Sequence, residues 1–254
     1  MWSLGVDKPT LAAVRKRLRE LGDPDDAAFL QRFFRTGPGE YGAGDKFHGI
    51  RVPVTRRVAR EFQKLSLDDT LALLHDPYHE ARLLAVILLG DAYQRGSSNE
   101  RDAIFRAYVK NAAYVNNWDL VDASAPQIVG AHLATRSRAL LDELAASKSL
   151  WKRRVAIVAT HRFIRNGEFD DTLRIAKTLL RDEHDLIHKA AGWMLREVGK
   201  RDRAPLVAFL ERHAHEMPRT MLRYAIEHLS PAERKRFMDA KPRAAKRASS
   251  SERR

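Results

Sequence analysis

Cysteine is absent from this sequence, and its absence excludes disulfides, thiolate metal sites and cysteine nucleophiles. The longest uninterrupted apolar run, LLAVILL at residues 83–89, is far too short to cross a bilayer. The stretch MWSLGVDKPT has no basic leader followed by an apolar segment, so a secretory signal is not expected. A glycine-rich phosphate loop and a GxSxG nucleophile elbow are also missing. The absence of cysteine fits a cytoplasmic protein.

Acidic residues are outnumbered by basic ones, 33 to 46, which gives a formal net charge of +13. The stretch KPRAAKRASSSERR at 241–254 carries six basic residues and one acidic residue, a net +5. Subtracting that charge leaves +8 for residues 1–240, so the body of the chain is basic in its own right. This favours a polyanionic partner such as nucleic acid over a surface that merely carries surplus arginine. We expect one folded domain over residues 1–240 and a disordered basic tail over 241–254.

Nearly every segment has the apolar spacing of three and four residues that is typical of α-helices, and no clear period-two strand is present. Clear examples are TLAAVRKRLREL, HEARLLAVILLGDAY and LWKRRVAIVATHRFI. The glycine-rich residues 37–53 predict a long excursion between the first helices and the remainder. Other helix breaks are predicted where Gly, Asn or Pro occurs: Gly22-Asp23-Pro24, Asp76-Pro77, Gly96-Ser97-Ser98, Asn166-Gly167, Gly199-Lys200 and Ser230-Pro231.

Five of the predicted helices align on a weak internal repeat. The position just before the apolar runs LLAVILLG, ASAPQIVG, VAIVATHR, AAGWMLRE and MLRYAIEH is occupied in turn by Arg82, Asp122, Arg154, Lys189 and Thr220. The steps between these residues are 40, 32, 35 and 31, which matches two helices and two turns, the unit of a HEAT-type α-solenoid. The predicted fold class is therefore all-α, with HEAT-like antiparallel helix pairs stacked around a concave groove. A compact helical bundle is the alternative, but it does not predict the near-regular spacing.

The aligned column predicts a basic groove with one carboxylate near its middle. Three of its five residues are basic, and Asp122 is the only acid. Residues four apart share a helical face, so we expect Trp118 beside Asp122 and Trp193 beside Lys189. Two indoles and one carboxylate would then meet in a cationic groove.

Each of these residues also has a purely structural interpretation. Either indole could belong to the core, and Asp122 could simply form an ion pair with Arg154 one repeat along the chain. Asp119 fits a first-turn carboxylate that favours the helix dipole, with Asn116 or Asn117 as the cap.

Two further pairs of residues, one of arginines and one of histidines, are candidates for the site. Arg153 and Arg154 are adjacent and cannot point the same way, and Arg154 is the one in register with Asp122. His184 and His188 have a spacing that could bind zinc, but no obvious motif supplies a further ligand, so we predict no metal site. No cofactor is expected either.

Six segments, in order along the chain, carry a resemblance to a known family: KFHGIRVPVTRRVARE, DPYHEARLLAVILL, NNWDLVDASAP, LWKRRVAIVATHRFIR, HDLIHKAAGWMLREVGKRD and MPRTMLRYAIE. They resemble the AlkD-like DNA alkylation repair glycosylases across roughly residues 28–235. The pairing of NNWDLVD with GWMLREVGKRD is fairly specific, because generic HEAT proteins do not share it. The resemblance implies a HEAT-like solenoid that holds duplex DNA in its concave face, in agreement with the repeat.

The resemblance also implies roles for four groove residues. The catalytic aspartate of the family matches Asp122, its two groove tryptophans match Trp118 and Trp193, and the functional arginine of the following repeat matches Arg154. Phosphate contacts are expected from the basic residues around them. This DNA-binding set comprises Arg82, Arg153, Lys189, Arg196, Arg219 and Arg223.

The expected activity is that of a monofunctional glycosylase that excises cationic alkylated purines, 3-methyladenine and 7-methylguanine, from duplex DNA. By resemblance, the base stays in or near the stack instead of being flipped into a pocket. The expected partner is double-stranded DNA with alkylated bases, and the protein is expected to be a monomer associated with the nucleoid. Two alternatives stay open: a noncatalytic HEAT-like DNA-binding protein, and a scaffold for an acidic protein partner.

Overall fold

The structure, a computed structural model, describes residues 9–240. Within this range the chain is an all-α solenoid, and its one extended pairing is an isolated bridge between Lys46 and Tyr78. The all-α prediction is therefore confirmed. No helix among residues 9–240 combines the length and the apolar character that crossing a membrane requires. The basic tail predicted at 241–254 lies outside the described residues.

Most helices begin or end near the Gly, Asn and Pro positions that the sequence indicates. Residues 34–51, between α2 and α3, are called the α2–α3 segment below. The helices are α1 (Leu11–Glu20), α2 (Pro24–Phe33), α3 (Val52–Glu61), α4 (Leu67–Leu74), α5 (His79–Arg95), α6 (Ser98–Lys110), α7 (Trp118–Ser124), α8 (Ala131–Leu133), α9 (Ala139–Ala145), α10 (Leu150–Ala159), α11 (His161–Arg165), α12 (Asp170–Thr178), α13 (Asp185–Arg201), α14 (Arg203–His213), α15 (Arg219–Ala225) and α16 (Pro231–Met238).

Five helices, here called the inner row, pack in succession: α5 against α7, α7 against α10, α10 against α13, and α13 against α15. Each carries one residue of the column that the sequence repeat predicts, from Arg82 in α5 to Thr220 in α15. Other helices pack on this row, for example α4 on α5, α9 on α10 and α14 on α13. The column therefore runs along one layer of the solenoid, which lets several of its members line a single groove.

Helix α5 is buried along most of its length because its sequence is apolar on every side. Every residue from His79 to Gly90 is buried. Three of these residues, His79, Glu80 and Arg82, are polar or charged. Burying such groups is unfavourable unless each is paired. Helix α5 therefore requires partners from other parts of the chain, and these partners lie next to the candidate site.

Helix α7 is short and has a defined start. The Asn117 side chain accepts a hydrogen bond from the Trp118 backbone N–H at 2.8 Å, so Asn117 is the cap among the two asparagines considered. The helix ends near Pro126, which cannot donate a backbone hydrogen bond, and the chain continues as a π-helical turn over residues 126–130. The two turns of α7 therefore hold their side chains at fixed positions along the inner row.

Helix α13 approaches α15 closely at Gly192. A Cβ atom at this position would lie 2.4 Å from the Met221 carbonyl oxygen, so only glycine allows this separation. The helix break predicted at Gly199-Lys200 falls two residues later, because α13 continues to Arg201 and α14 begins at Arg203. A Cβ atom at Gly199 would lie 2.3 Å from the Leu206 side chain. This glycine therefore permits close packing against α14 instead of ending a helix.

Candidate active-site cleft

A cleft of about 540 Å³ opens along the inner row. Six of its lining residues belong to the set that the sequence analysis singles out, and four do not. The six are Trp118, Asp122, Arg154, Lys189, Trp193 and Arg196, and the four are Phe33, Tyr41, Leu186 and Tyr224. The structure thus brings the carboxylate, both indoles and three basic side chains together in one depression.

Asp122 and Arg154 form a two-point ion pair between α7 and α10, so the pairing considered from the sequence does exist. The Arg154 Nε donates to Asp122 Oδ1 at 2.9 Å, and Nη2 donates to Oδ2 at 2.8 Å. The third nitrogen, Nη1, donates to the Leu186 carbonyl oxygen at 2.6 Å. The Arg154 side chain is 6% exposed and the Asp122 side chain is 20% exposed. The arginine therefore lies behind the carboxylate and orients it, while the carboxylate faces the cleft.

Burial raises the pKa of Asp122 above its usual value, and the Arg154 guanidinium opposes this rise without cancelling it. Asp119, on the same helix, adds a smaller upward contribution. Carboxyls with a perturbed pKa in clefts are typical of functional sites. Because its pKa is raised, Asp122 is a stronger base than an ordinary aspartate.

Both indoles are half-buried and line the cleft. Trp118 stacks on Phe34, with ring centroids 5.4 Å apart, and meets Phe33 edge-on at 6.0 Å. Trp193 donates its Nε1–H to Glu197 at 3.1 Å. These contacts hold each ring in a defined orientation while leaving part of it accessible from the cleft.

Four predicted DNA contacts are in or beside the cleft. Lys189 and Arg196 line it, and each pairs with an exposed carboxylate. Arg219 and Arg223 are exposed on α15, the helix that contributes Tyr224 to the lining. Exposed ion pairs contribute little stability, so Lys189 can exchange Asp185 for a phosphate at small loss. Arg196 is less exposed and also lies 3.6 Å from Glu197.

Two predicted DNA contacts are placed elsewhere by the structure. Arg82 is 5% exposed, and its guanidinium donates to the Asp45 carboxylate at 2.6 Å and to the Asp76 carbonyl oxygen at 3.0 Å. It therefore cannot contact DNA in this conformation, because the α2–α3 segment supplies its partner. The Arg153 guanidinium is engaged within the protein, because it pairs with Asp182 and donates to the Ser147 and Lys148 carbonyl oxygens at 3.0 and 2.9 Å. The phosphate-contact prediction is therefore corrected at both positions.

Behind the cleft lies a buried network of charges that the sequence analysis missed. His79 Nε2 lies 2.8 Å from Asp119 Oδ2, and its Nδ1 lies 3.1 Å from Asp45 Oδ2. Asp45 also accepts hydrogen bonds from Arg82 and, at 3.3 Å, from the Asn117 side-chain amide. The network joins three parts of the chain: the α2–α3 segment, α5 and the start of α7.

The charges of this network stabilise one another. Burial favours the neutral form of Asp45, but the hydrogen bond from His79 and the charge of Arg82 outweigh it and lower the pKa of Asp45. Burial likewise lowers the pKa of His79, yet the carboxylates of Asp119 and Asp45 outweigh that effect and raise it to about 9. His79 is therefore a buried cation at neutral pH. Asp119, predicted only as a first-turn carboxylate, is one of its two counter-ions.

The α2–α3 segment is fixed to α5 and forms one wall of the cleft. The buried Glu80 carboxylate accepts backbone hydrogen bonds from residues 48–50, with distances of 3.0, 2.8 and 3.1 Å. Tyr41 lines the cleft, and its ring centroid lies 6.2 Å from that of Trp151. One signal in the sequence could have revealed this wall: the charged residues of HEAR open a helix too apolar to be exposed, so they need buried partners.

The two histidines with zinc-like spacing make hydrogen bonds within the protein. His184 Nδ1 accepts from the Leu186 backbone N–H at 3.1 Å and caps α13. His188 Nε2 lies 2.5 Å from the Asp182 carbonyl oxygen. Among residues 9–240, no three His, Cys, Asp or Glu side chains converge as a metal site would require.

An all-α solenoid with an acid, two indoles and basic side chains in one cleft agrees with the resemblance in the sequence. The family model for the DNA alkylation repair enzymes matches residues 14–229, and this chain therefore belongs to that family. A solved structure described as a predicted DNA alkylation repair enzyme from Enterococcus faecalis is similar, with a TM-score of 0.66 and 18% sequence identity. The match covers 83% of this chain and 97% of that chain, and at this identity it supports the fold alone. No curated protein matches the sequence.

Proposed function

We propose that this protein is a monofunctional DNA glycosylase that excises cationic alkylated purines, such as 3-methyladenine and 7-methylguanine, from duplex DNA. The observation that carries the proposal is the cleft, with an oriented carboxylate, two indole faces and basic side chains in one depression. Family membership supports alkylated DNA as the substrate, and the net charge of +13 supports a polyanionic partner. One copy of the chain contains the whole cleft, so the active form is proposed to be a monomer, acting on the nucleoid.

The chemistry follows from the charge of the damaged base. Alkylation of a purine ring nitrogen makes the base cationic, so it is a good leaving group without protonation. The C1′–N bond breaks with its electron pair moving to the base, which departs neutral. The sugar becomes oxocarbenium-like, as in other glycoside hydrolyses. Water adds to C1′ and loses a proton, which leaves an abasic site. The protein must therefore stabilise a sugar cation, and the reaction requires no cofactor.

Asp122 is the group best suited to that task. Its carboxylate faces the cleft, and its raised pKa makes it a better base toward the attacking water. The indoles of Trp118 and Trp193 offer aromatic faces that attract the same positive charge. Arg154 uses all three guanidinium nitrogens within the protein, which supports an orienting role for it over a phosphate contact.

The accessible basic residues would hold the phosphates of the damaged strand. This set is Lys189, Arg196, Arg219 and Arg223. Phosphate contacts fix the register of the duplex and carry no sequence information. Flipping enzymes enclose the extruded base in a pocket, whereas this cleft lies open along the inner row. That shape supports a mechanism that grips the backbone and leaves the base in or near the stack.

The direct test is incubation of methylated duplex DNA with the purified protein, followed by chromatography of the released bases. Wild type should release 7-methylguanine and 3-methyladenine. Asp122→Asn should keep its DNA affinity but lose about 100-fold or more of the excision rate, because an amide cannot stabilise the developing cation. Asp142→Asn, which removes an exposed carboxylate paired with Arg174, is the matched control and should excise at the wild-type rate. Normal excision by Asp122→Asn would refute the catalytic assignment.

A second measurement separates a monofunctional enzyme from a lyase. The strand should remain intact at the abasic site after excision. Lys189 is the lysine of the cleft lining, and an adduct trapped on it by borohydride would contradict the proposed mechanism.

A noncatalytic DNA-binding protein is the second candidate, and one observation favours it. Both oxygens of Asp122 accept hydrogen bonds from Arg154, as they would in a purely structural ion pair. Tight, salt-sensitive binding to methylated duplex without release of any free base would support this candidate.

A further inference from the structure

His79 lies outside the cleft, yet it contacts Phe34, which stacks on Trp118, and it contacts Asp119, one turn before Asp122. Its ring centroid is 4.6 Å from that of Phe34, and Phe34 stacks on Trp118 at 5.4 Å. Its Nε2 lies 2.8 Å from Asp119, which precedes Asp122 by three residues in α7. One buried side chain therefore contacts the neighbour of each of the two cleft groups.

The imidazole is enclosed on every side by groups that fix its position. Phe47 stacks on it at a centroid distance of 4.9 Å, and Asp45 lies 3.1 Å from its Nδ1. The His79 backbone N–H donates to the Lys46 carbonyl oxygen at 2.8 Å, and the residue is 2% exposed. The ring cannot move without displacing either the α2–α3 segment or the first turn of α7.

We propose that His79 is a positioning residue for the cleft: it ties the α2–α3 segment to the first turn of α7 and so sets where Trp118 and Asp122 stand. The expected effect on excision rests on the proposed function. The effect on the geometry of the cleft does not, because it can be measured without DNA.

The charge on His79 is part of this role. The charged groups facing it are Asp45 from the α2–α3 segment, Asp119 from α7 and Arg82 from its own helix, while the adjacent Glu80 is engaged by backbone N–H groups. Burial and Arg82 lower the pKa of His79, the two carboxylates raise it, and the balance lies at about 9. Loss of this proton would leave Asp119 without its cation. The negative charge of Asp119 would then raise the pKa of Asp122 further than it already does.

The geometric test uses the full-length wild-type protein alone. Side-chain NMR of the histidines and of the indole N–H groups is recorded across pH 6–10, with Trp118 assigned by the signal missing in Trp118→Phe. His79 should titrate with a midpoint at about 9, and the Trp118 indole signal should shift with the same midpoint. A Trp118 signal that stays constant while His79 titrates would overturn the proposal. This outcome is independent of whether the protein excises any base.

The kinetic test compares His79→Gln with His132→Gln, a second buried histidine that stacks on Phe105 and lies outside the cleft lining. His79→Gln should lower kcat for excision of 7-methylguanine by about tenfold, since displacement of catalytic groups by a fraction of an ångström has effects of this order. Its KM should change by less than about twofold. His132→Gln should keep the wild-type kcat. A folded His79→Gln with wild-type kcat would overturn the proposal. If the variant does not fold, the NMR titration of the wild type decides it.

Discussion

Helix α7 takes part in two clusters of charge, through Asp119 and Asp122. The two clusters shift the pKa of Asp45 and the pKa of Asp122 in opposite directions. In the buried cluster, Asp45 is bonded to His79 and Arg82, and its pKa is lowered. In the cleft, Asp122 has Arg154 as its partner, and its pKa is raised. The difference lies in how far the partners compensate for burial. Two cations outweigh it at Asp45, while one arginine does not at Asp122.

This contrast separates a structural ion network from a candidate catalytic group. Removing one member of a buried ion network leaves its partners uncompensated, which is strongly destabilising. A carboxylate whose charge is incompletely compensated contributes less to the fold and gains more from a cation that approaches it. A substrate with a developing positive charge on its sugar would be such a cation for Asp122.

The largest effect on stability is expected from Asp45→Ala. The change leaves His79 and Arg82 as buried cations without their common partner, so the free energy of unfolding at pH 7 should fall by about 3–5 kcal/mol. Urea denaturation followed by circular dichroism measures this loss. Asp142→Ala, which removes an exposed carboxylate, should change stability by less than about 0.5 kcal/mol. If the two variants lose the same stability, the distinction between the clusters fails.

The next effect is a loss of stability at alkaline pH. Folding raises the pKa of His79 from 6.5 to about 9, so its contribution is complete below pH 6.5 and disappears as the pH rises through 9. The free energy of unfolding should therefore fall by on the order of 3 kcal/mol across that interval. Denaturant titrations at several pH values measure it. His79→Gln should flatten the profile, and an equally steep decline in that variant would assign the effect to another group.

A smaller effect is expected on the acidic side of the excision rate. Asp122 must be ionised to act, and its raised pKa means that it takes up a proton sooner as the pH falls. The rate should therefore fall about tenfold per pH unit below a midpoint that lies above the ordinary aspartate value of about 3.9. Single-turnover excision, corrected for spontaneous depurination, measures this profile. A rate that stays constant down to the ordinary value would contradict the assignment.

The smallest effect is expected from Lys189→Ala. Removal of one phosphate contact should weaken DNA binding about threefold at moderate salt and reduce the slope of log K against log salt by about 1. Lys235→Ala is the matched control, because both lysines pair with an aspartate four residues away and Lys235 is not part of the cleft lining. Equal losses in the two variants would show that the cleft does not hold the phosphates.

The side of the cleft formed by the inner row could be predicted from the sequence, because repetition and helical periodicity fix which side chains share a face. Asp122 and Arg154 occupy the same column of neighbouring repeats, and they form a two-point ion pair. Trp118 and Trp193 were placed by the same spacing, and both line the cleft. These placements depend only on one helix and its neighbour, where helical periodicity fixes which side chains share a face.

The wall formed by the α2–α3 segment could not be predicted, because that segment is not part of the repeat. Periodicity indicates the face on which Arg82 lies but not what covers that face. Its partner Asp45 is 37 residues away in a glycine-rich stretch, and Tyr41 reaches the cleft from the same stretch. Such contacts depend on the three-dimensional path of this segment, and periodicity in the sequence does not predict that path.

Main chain touches main chain where Gly192 of α13 meets the Met221 carbonyl of α15. The two helices cannot come closer at this point, and the next residue of α13 is Trp193, which lines the cleft. A ligand in the cleft therefore cannot be gripped by a closer approach of α13 to α15, and any adjustment of the cleft around it has to come from the wall that carries Tyr41.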